Sequence, residues 1–239
     1  MTARRRGGRK TQGKGGGRGQ VVRVRTARSR RPSSTRWLER QLNDPYVADA
    51  RRLGYRSRAA FKLLQLDERS HLLAPGRRVV DLGAAPGGWT QVAVARVSPP
   101  GKAVGQIVAV DIAPMDPVPG AVVLQGDCRA PETIAAVRAA LGGPADVVLS
   151  DMAPAATGHA RTDHLRIVAL AETAYDAAVA LLAPGGSFVC KVLQGGAQGD
   201  LLAALKRDFL SVRHVKPPAS RADSAEIYLV AQGFRAPSP

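Results

Sequence analysis

The segment DLGAAPGGW, residues 81–89, is a glycine-rich turn that directly follows the apolar pair Val79-Val80. The apolar residues before the turn are typical of a buried strand, and the spacing after it is typical of a helix. Glycines at a strand-to-helix turn let the backbone approach a ligand, and the first amides of the helix point at that ligand. The segment therefore predicts an α/β sheet with a ligand site at the carboxyl end of this strand.

The composition of this turn excludes two common nucleotide-binding loops. No Lys-Ser or Lys-Thr pair follows the glycines, so the turn is not a phosphate-binding P-loop. Ala85 occupies the place of the middle glycine in the GxGxxG pattern, where a pyrophosphate needs bare backbone. A small cofactor with one carboxylate and no pyrophosphate fits better, and a nicotinamide-dependent oxidoreductase is disfavoured.

Strand-like and helix-like segments alternate along most of the chain. The strand-like runs lie at 79–82, 107–110, 121–124, 147–149, 188–190, 210–215 and 227–230, and the helical patterns at 36–52, 57–66, 88–97, 131–141 and 163–182. The motif Leu-Ala-Pro-Gly occurs at 73–76 and 182–185, and its Pro-Gly pair predicts a tight turn before a strand each time. The sequence predicts a doubly wound, mostly parallel, seven-stranded α/β sheet with an antiparallel edge strand.

Basic residues are concentrated at the start of the chain. Residues 1–31 hold 12 of the 35 Lys and Arg residues and no acidic residue, so they carry +12 of the formal charge of +16. A Gly-rich segment without apolar periodicity cannot offset the entropy of ordering. We therefore predict a disordered basic arm over residues 1–33 that contacts nucleic acid through phosphates. A solubility tail stays open as a second interpretation, whereas the glycine run 15–17 disfavours an organelle transit peptide.

The remainder, residues 34–236, is predicted to form one catalytic domain. Hydrophobic residues make up 45% of the chain, as is typical of a globular protein, and no run approaches the ~18 consecutive apolar residues of a membrane span. Cys128 and Cys190 lie in no metal-ligand pattern. We therefore expect no metal site, no disulfide scaffold and a reduced, cytoplasmic compartment.

Three carboxylates follow three successive strand-like runs. Asp81 and Asp111 end the first two runs, and Asp127 follows the third. A carboxylate at the second position can accept hydrogen bonds from both hydroxyls of a ribose, and one at the third can meet an adenine amino group. Each Asp alone could cap a helix or a turn, but three at neighbouring strand ends form the pattern of an S-adenosylmethionine site.

The next two strand-like runs narrow the choice of methyl acceptor. The segment SDMAP, residues 150–154, lacks the aromatic residue that methyltransferases acting on base amino groups place there. Neither cysteine lies in a motif that would supply the nucleophile of a pyrimidine-carbon methyltransferase. The chain instead offers Lys191 in an apolar run and Glu226 at the start of the last one. A lysine in a central strand is costly unless it is paired, although one at a strand end can reach solvent along its stem.

A series of short motifs over residues 34–234 resembles a known family. The matching segments are STRWL at 34–38, RSRAAFKL at 56–63, residues 80–89, PMDP at 114–117, LQGD at 124–127, SDMAP at 150–154, residues 182–192 and SR at 220–221. In this nearly colinear spacing they resemble the FtsJ-like (RrmJ) family of bacterial large-subunit ribosomal RNA 2′-O-methyltransferases. The chain departs from the family in its longer, Gly-rich arm and in the loop 155–163, which carries His159 and is followed by His164.

The resemblance implies a Rossmann-like, S-adenosylmethionine-dependent methyltransferase fold. It implies a catalytic tetrad of Lys62, Asp151, Lys191 and Glu226, and cofactor contacts from Gly87, Trp89, Asp111, Asp127 and Asp151. It further implies that the target is a uridine ribose in the A-loop of 23S rRNA, within an assembled large ribosomal subunit. We accordingly expect a monomer that needs no protein partner and no membrane.

The mechanism expected from this resemblance depends on one lysine. A ribose 2′-hydroxyl is a poor nucleophile near neutral pH, so a base must remove its proton during attack, and Lys191 is the expected base. Burial beside Lys62 favours a neutral amine, whereas the carboxylates Asp151 and Glu226 favour the charged form. In a second account, charged Lys191 orients the hydroxyl while Asp151 accepts the proton.

Two other functions stay open at this stage. Relatives of the same family methylate tRNA riboses, so a tRNA 2′-O-methyltransferase is the nearest rival. A non-enzymatic ribosome-assembly factor could use the same fold and arm, but it would have no reason to keep four tetrad residues in register.

Overall fold

The computed structural model describes residues 32–154, 157–195 and 199–235. The predicted disordered arm covers residues 1–33. Residues 1–31 lie outside the described residues, whereas Pro32 and Ser33 begin a helix. The chain divides between Asp44 and Pro45 into two units. The larger unit begins at Pro45.

Seven helices and seven strands are present in the part of the chain that the structure describes. The helices are α1 Pro32–Leu42, α2 Pro45–Leu53, α3 Ala60–Ser70, α4 Gly88–Val97, α5 Pro131–Leu141, α6 Ala160–Leu181 and α7 Gly199–Asp208. The strands are β1 Arg78–Leu82, β2 Gln106–Asp111, β3 Val122–Gln125, β4 Ala145–Ser150, β5 Leu182–Leu193, β6 Phe209–Val215 and β7 Glu226–Phe234.

The strands form one mixed sheet, in the order β3-β2-β1-β4-β5-β7-β6. Strands β1 to β5 are parallel, and β7 runs antiparallel to both of its neighbours, β5 and β6. The predicted doubly wound sheet of seven strands is confirmed, and β6 is the edge strand with antiparallel pairing. The order reverses at β1, so the carboxyl ends of β1, β2 and β4 meet at one edge, where such sheets bind ligands.

The first three helices differ from the prediction in their boundaries only. The short helical segments predicted within 36–52 are α1 and α2, which are separate because Pro45 lacks a donor N–H and disfavours helical geometry at Asp44. Pro45 then takes the first position of α2, where a missing N–H costs nothing. The helix predicted from residue 57 begins at Ala60, after a turn in which the Ala60 N–H donates to the Ser57 carbonyl at 3.3 Å.

The second Leu-Ala-Pro-Gly motif is not the turn that the sequence predicts. Residues 182–185 belong to β5, which follows α6 directly. Leu182 pairs with Ala145 of β4, and the register shifts before Ser187 pairs with Val147. This irregularity accommodates the Pro-Gly pair inside the strand. The first motif, at 73–76, does form a turn before β1.

Alternating side chains of the central strands fill the two faces of the sheet. Val80, Val108 and Val148 belong to a core shared with α5, α6 and α7. Val79 and Ile107 belong to the opposite core, shared with α3 and α4. Among the described helices, none is both long and apolar enough to span a membrane.

Candidate active site

A cleft of about 420 Å³ opens at the carboxyl ends of β1, β2 and β4. Its apolar wall includes Ile112 and Met152, and its polar side chains include Asp111, Asp127 and Asp151. It is lined by Gly83, Ala85, Val110, Asp111, Ile112, Gly126, Asp127, Cys128, Arg129, Asp151, Met152, Ala153, Leu170 and Thr173. Three of the predicted site carboxylates therefore share one cavity, although they lie far apart in the sequence.

Asp111 connects the end of β2 to the glycine-rich turn. Its Oδ2 accepts a hydrogen bond from the Ala85 N–H at 2.9 Å, and its Oδ1 accepts one from the Ala113 N–H at 2.8 Å. Gly83 begins the turn at a φ of 73°, and a Cβ there would lie 2.3 Å from the Met152 side chain. Only glycine fits at that position, so the turn approaches the cleft as closely as the sequence predicts.

Asp127 faces the cleft as a carboxylate that is already bound by an arginine. The Arg129 Nε lies 3.0 Å from both Asp127 oxygens, and its Nη2 lies 2.5 Å from Oδ2. These hydrogen bonds hold the pKa of Asp127 below its usual value. A ligand amino group that binds Asp127 therefore meets an ionised acceptor that it shares with Arg129.

Asp81 lies beneath the cleft and does not line it. The side chain is 1% exposed, and its Oδ2 accepts a hydrogen bond from the Thr90 hydroxyl at 2.7 Å. Burial raises the pKa of Asp81 to about 7, with Asp151 and Asp111 adding to the effect against the Thr90 hydrogen bond. The sequence placed Asp81 in the pattern of three cofactor carboxylates, whereas in the structure it is buried, binds the Thr90 hydroxyl of α4 and is not among the residues that line the cavity.

The raised pKa of Asp81 predicts a measurable pH dependence of stability. Unfolded Asp81 loses its proton near pH 4, whereas the folded protein keeps that proton until about pH 7. The wild-type free energy of unfolding, relative to Asp81→Asn, should therefore fall by up to about 4 kcal/mol between pH 4 and pH 7 and then level off. Urea unfolding of both proteins across this range checks it, and a difference that is independent of pH would contradict it.

The four tetrad residues form two ion pairs beside the cleft. The Lys62 Nζ lies 2.7 Å from Oε1 and 2.9 Å from Oε2 of Glu226. The Lys191 Nζ donates to the Asp151 Oδ1 at 2.8 Å and to the Asp151 carbonyl at 2.7 Å. Both lysines are buried, at 7% and 8% exposure. The costly lysine in a central strand is therefore paired, and its stem does not extend to solvent.

Tyr228 bridges the two ion pairs. Its hydroxyl lies 2.7 Å from the Asp151 Oδ1 and 3.3 Å from the Glu226 Oε1. Burial, and then the two nearby carboxylates, raise the pKa of Tyr228 well above its usual value, so it stays a donor. The sequence analysis missed this residue, although its position two residues after Glu226 in a strand places both side chains on one face.

The electrostatics of the cluster keep one carboxylate ionised. Burial opposes the charge on Asp151, but the positive charges of Lys191 and Lys62 outweigh burial and hold the pKa of Asp151 below its usual value. A carboxylate with a lowered pKa retains a proton poorly, so Asp151 is suited to orienting a cation or a hydroxyl group.

Gly87 and Trp89 lie at the start of α4, and the Trp89 ring points away from the cleft. Gly87 precedes the helix at a φ of 107°. The indole of Trp89 is 3% exposed and donates to the Ala59 carbonyl at 2.8 Å, and its ring lies 5.7 Å from the Tyr228 ring. The indole of Trp89 is therefore buried, and neither Gly87 nor Trp89 is among the residues that line the 420 Å³ cleft.

The cysteines and His159 have no partner role in the two ion pairs described above. Cys128 lines the cleft as a free thiol, and Cys190 is buried in β5. His159 is exposed before α6. Within the described ranges, no group of three or more His, Cys, Asp and Glu residues is placed to hold a metal ion.

Comparisons with known proteins place the chain in a family. The family model described as FtsJ-like methyltransferase matches residues 55–234. "Ribosomal RNA large subunit methyltransferase E" of Paramagnetospirillum magneticum is 59% identical over 240 residues, covering 97% of this chain and 98% of that protein. The protein of the same name from Roseobacter denitrificans is 55% identical over 238 residues, covering 98% and 99%.

A solved structure supports the same conclusion. The crystal structure of a ribosomal RNA methyltransferase from Plasmodium falciparum superposes with a TM-score of 0.69 and 29% identity, covering 77% of this chain and 100% of that one. The family model covers most of the chain and the two bacterial relatives span nearly all of it. The chain belongs to the FtsJ-like methyltransferase family.

Proposed function

We propose that this chain transfers a methyl group from S-adenosylmethionine to the 2′-hydroxyl of a uridine ribose in the A-loop of 23S rRNA. The observation that carries the proposal is the buried Lys191–Asp151 pair, whose carboxylate lines the cleft together with Asp111 and Asp127. A hydroxyl acceptor requires a proton-accepting group beside the methyl donor, and this pair is placed to provide one. In this proposal residues 34–236 are the catalytic domain.

The cleft fits S-adenosylmethionine, which supplies a methyl group on a positively charged sulfur when it is bound. Asp111 would hold the ribose hydroxyls, and Asp127 would accept the adenine amino group. Ile112 is 72% exposed at the cleft and offers the adenine ring an apolar contact. Gly87 and the Trp89 amide open α4, where the unpaired N–H groups of a helix start favour a carboxylate.

The tetrad provides for removal of the hydroxyl proton. Lys191 would accept this proton as a neutral amine, after its ammonium has released one proton to solvent. Asp151 is the weaker candidate for the base, because the lysine charges lower its pKa. Asp151 would orient the Lys191 amine through the 2.8 Å contact. The second pair, Lys62 with Glu226, would hold the acceptor ribose next to Lys191. Orientation of the reacting groups contributes to the rate because it replaces a bimolecular encounter.

The proposed substrate is rRNA within the large ribosomal subunit or its precursor. The relatives reported above are named as methyltransferases of large-subunit rRNA, and the chain carries a formal charge of +16 that favours a polyanion. We propose that the enzyme acts as a monomer, without a protein partner or a membrane. Because bacterial ribosomes assemble in the cytoplasm, this substrate places the enzyme there.

A competition between substrates tests this function. The purified chain is incubated with methyl-labelled S-adenosylmethionine and large ribosomal particles, free rRNA or tRNA, all prepared from a strain that lacks the modification. We expect label in the 23S rRNA of the particles. Label confined to tRNA would favour the rival tRNA methyltransferase, and no label in any RNA would favour a non-enzymatic assembly factor.

The role of Asp111 predicts a loss of cofactor affinity. Asp111→Ala should weaken S-adenosylmethionine binding by ~1.5–3 kcal/mol, the scale of hydrogen bonds to a charged group. Calorimetry measures this change, and Asp49→Ala, in a surface ion pair on α2, serves as the control with unchanged affinity. Unchanged affinity in a folded Asp111→Ala protein would remove Asp111 from the site.

The basic arm is proposed to bind RNA. Deleting residues 1–31 should leave folding and cofactor affinity intact but raise the KM for ribosomal particles, with little change in kcat. Each phosphate contact contributes roughly 0.7–0.9 to the salt slope, so losing four should flatten that slope by about 3. RNA affinity is measured at several salt concentrations, and identical slopes with and without the arm would leave it as a solubility tail.

A further inference from the structure

The helix that carries Lys62 is attached to the glycine-rich turn at a defined point. The Trp89 indole N–H donates to the Ala59 carbonyl at 2.8 Å, and Ala59 directly precedes α3. Lys62 lies one turn into that helix, and its own N–H donates to the same Ala59 carbonyl at 2.9 Å. The Leu63 N–H donates to this carbonyl at 3.4 Å. The carbonyl therefore joins the indole, which follows the glycine-rich turn, to the backbone of the helix that carries Lys62.

The segment before α3 is fixed to the same turn by two further side chains, which do not depend on the indole. The Gln91 side chain accepts from the Arg56 N–H at 2.8 Å and donates to the Gly54 carbonyl at 2.9 Å. The Arg56 guanidinium donates to the Pro86 carbonyl at 3.2 Å. A Cβ added to Gly88 would lie 2.4 Å from the Ser57 hydroxyl, so the two segments are in close contact.

We propose that Trp89 is a positioning residue, whose indole couples the cofactor-binding turn to the placement of Lys62. The Trp89 ring is 3% exposed and packs on Tyr228, so it cannot act by lying against a ligand in the cleft. Tyr228 also donates to Asp151, and its ring lies 5.8 Å from the Lys62 Nζ. The indole thus contacts the neighbours of Lys62 on both sides. This inference rests on the proposed function, because it assigns Lys62 to the reaction.

The substitution Trp89→Phe separates this role from a cofactor contact. Phenylalanine keeps most of the buried ring but has no N–H, so the Ala59 carbonyl loses its indole donor. A small displacement of a reacting group can lower a rate up to about a hundredfold. We expect a roughly ten- to hundredfold lower single-turnover rate, with S-adenosylmethionine affinity within about twofold of wild type because the backbone amide remains.

A double-mutant cycle with Lys62→Ala provides the decisive test. If the indole acts through Lys62, Trp89→Phe should lower the rate by less than about twofold once Lys62 is absent. If Trp89→Phe instead acted through a general loss of packing, the rate losses of Trp89→Phe and Lys62→Ala would multiply in the double variant. Independent losses, or a tenfold weaker cofactor affinity with an unchanged rate, would overturn the inference.

Two controls keep the outcomes distinguishable. Gln232→Leu removes two side-chain hydrogen bonds, one to the Ser70 carbonyl at the other end of α3 and one from the Arg213 guanidinium. It should leave the rate unchanged while lowering thermal stability about as much as Trp89→Phe does. If Lys62→Ala alone leaves the rate unchanged, the proposed tetrad fails, whereas a large loss for Lys62→Ala with additive effects refutes only the role of Trp89.

Discussion

Replacing Lys191 by arginine is expected to lower the rate of methyl transfer by about 10²–10⁴, as much as Lys191→Ala, the range for loss of a positioned base. Arginine keeps the positive charge and a donor for Asp151, but it is not deprotonated in proteins. If Lys191 accepts the proton, restoring the charge alone does not restore the reaction. Single-turnover kinetics on large ribosomal particles measures the rate, with S-adenosylmethionine affinity expected near that of wild type.

The same comparison decides between the two proton routes. If charged Lys191 only orients the hydroxyl while Asp151 accepts the proton, Lys191→Arg should retain far more activity than Lys191→Ala. Lys206→Arg, in the last turn of α7, is the matched control and should behave as wild type. A near-normal rate for Lys191→Ala would remove this lysine from the chemistry altogether.

Replacing Glu226 by alanine is expected to destabilise the fold by about 2–4 kcal/mol, because it leaves Lys62 without its carboxylate partner. The Lys62 side chain is 9% exposed and that of Glu226 is 16% exposed, so water can compensate only part of the lost interaction. The Ser220 hydroxyl, which lies 2.8 Å from the Glu226 Oε1, would also lose its partner. Denaturant unfolding at neutral pH measures the change.

The paired substitution distinguishes a lost ion pair from lost packing. Lys62→Met combined with Glu226→Leu removes both charges and keeps most of the volume, so it should be more stable than Glu226→Ala alone. If the double variant is as unstable as the single one or more so, the cost arises from packing and not from the unpaired lysine. The double variant should be inactive in methyl transfer in either case.

The sheet could be predicted because its central strands are buried on both faces and appear as short apolar runs. The runs at 79–82 and 107–110 correspond to β1 and β2, and the carboxyl ends of these strands carry the turn and Asp111. Asp111 could also be placed at the cleft, since the ends of neighbouring parallel strands lie together. These inferences depend on the local apolar pattern and on the order of the elements along the chain, and both can be read from the sequence.

The side-chain pairing could not be predicted in the same way. That Lys191 binds Asp151 depends on the register of β4 against β5, in which Ser150 pairs with Cys190. That Tyr228 bridges both ion pairs depends on the register of β5 against β7, where Lys191 lies opposite Tyr228. The burial of Asp81 could not be predicted for a related reason, since its partner Thr90 comes from α4. Long-range contacts of this kind decide which carboxylates reach a cavity, and local periodicity does not encode them.

The position of the transferred methyl group is the most direct test of the central claim. Large ribosomal particles are labelled by the purified chain and methyl-labelled S-adenosylmethionine, and their 23S rRNA is hydrolysed with alkali. A methylated 2′-oxygen cannot attack the neighbouring phosphate, so we expect the label in one alkali-resistant dinucleotide that begins with 2′-O-methyluridine. Label in single nucleotides, with the methyl group on a base, would contradict the proposed ribose methylation.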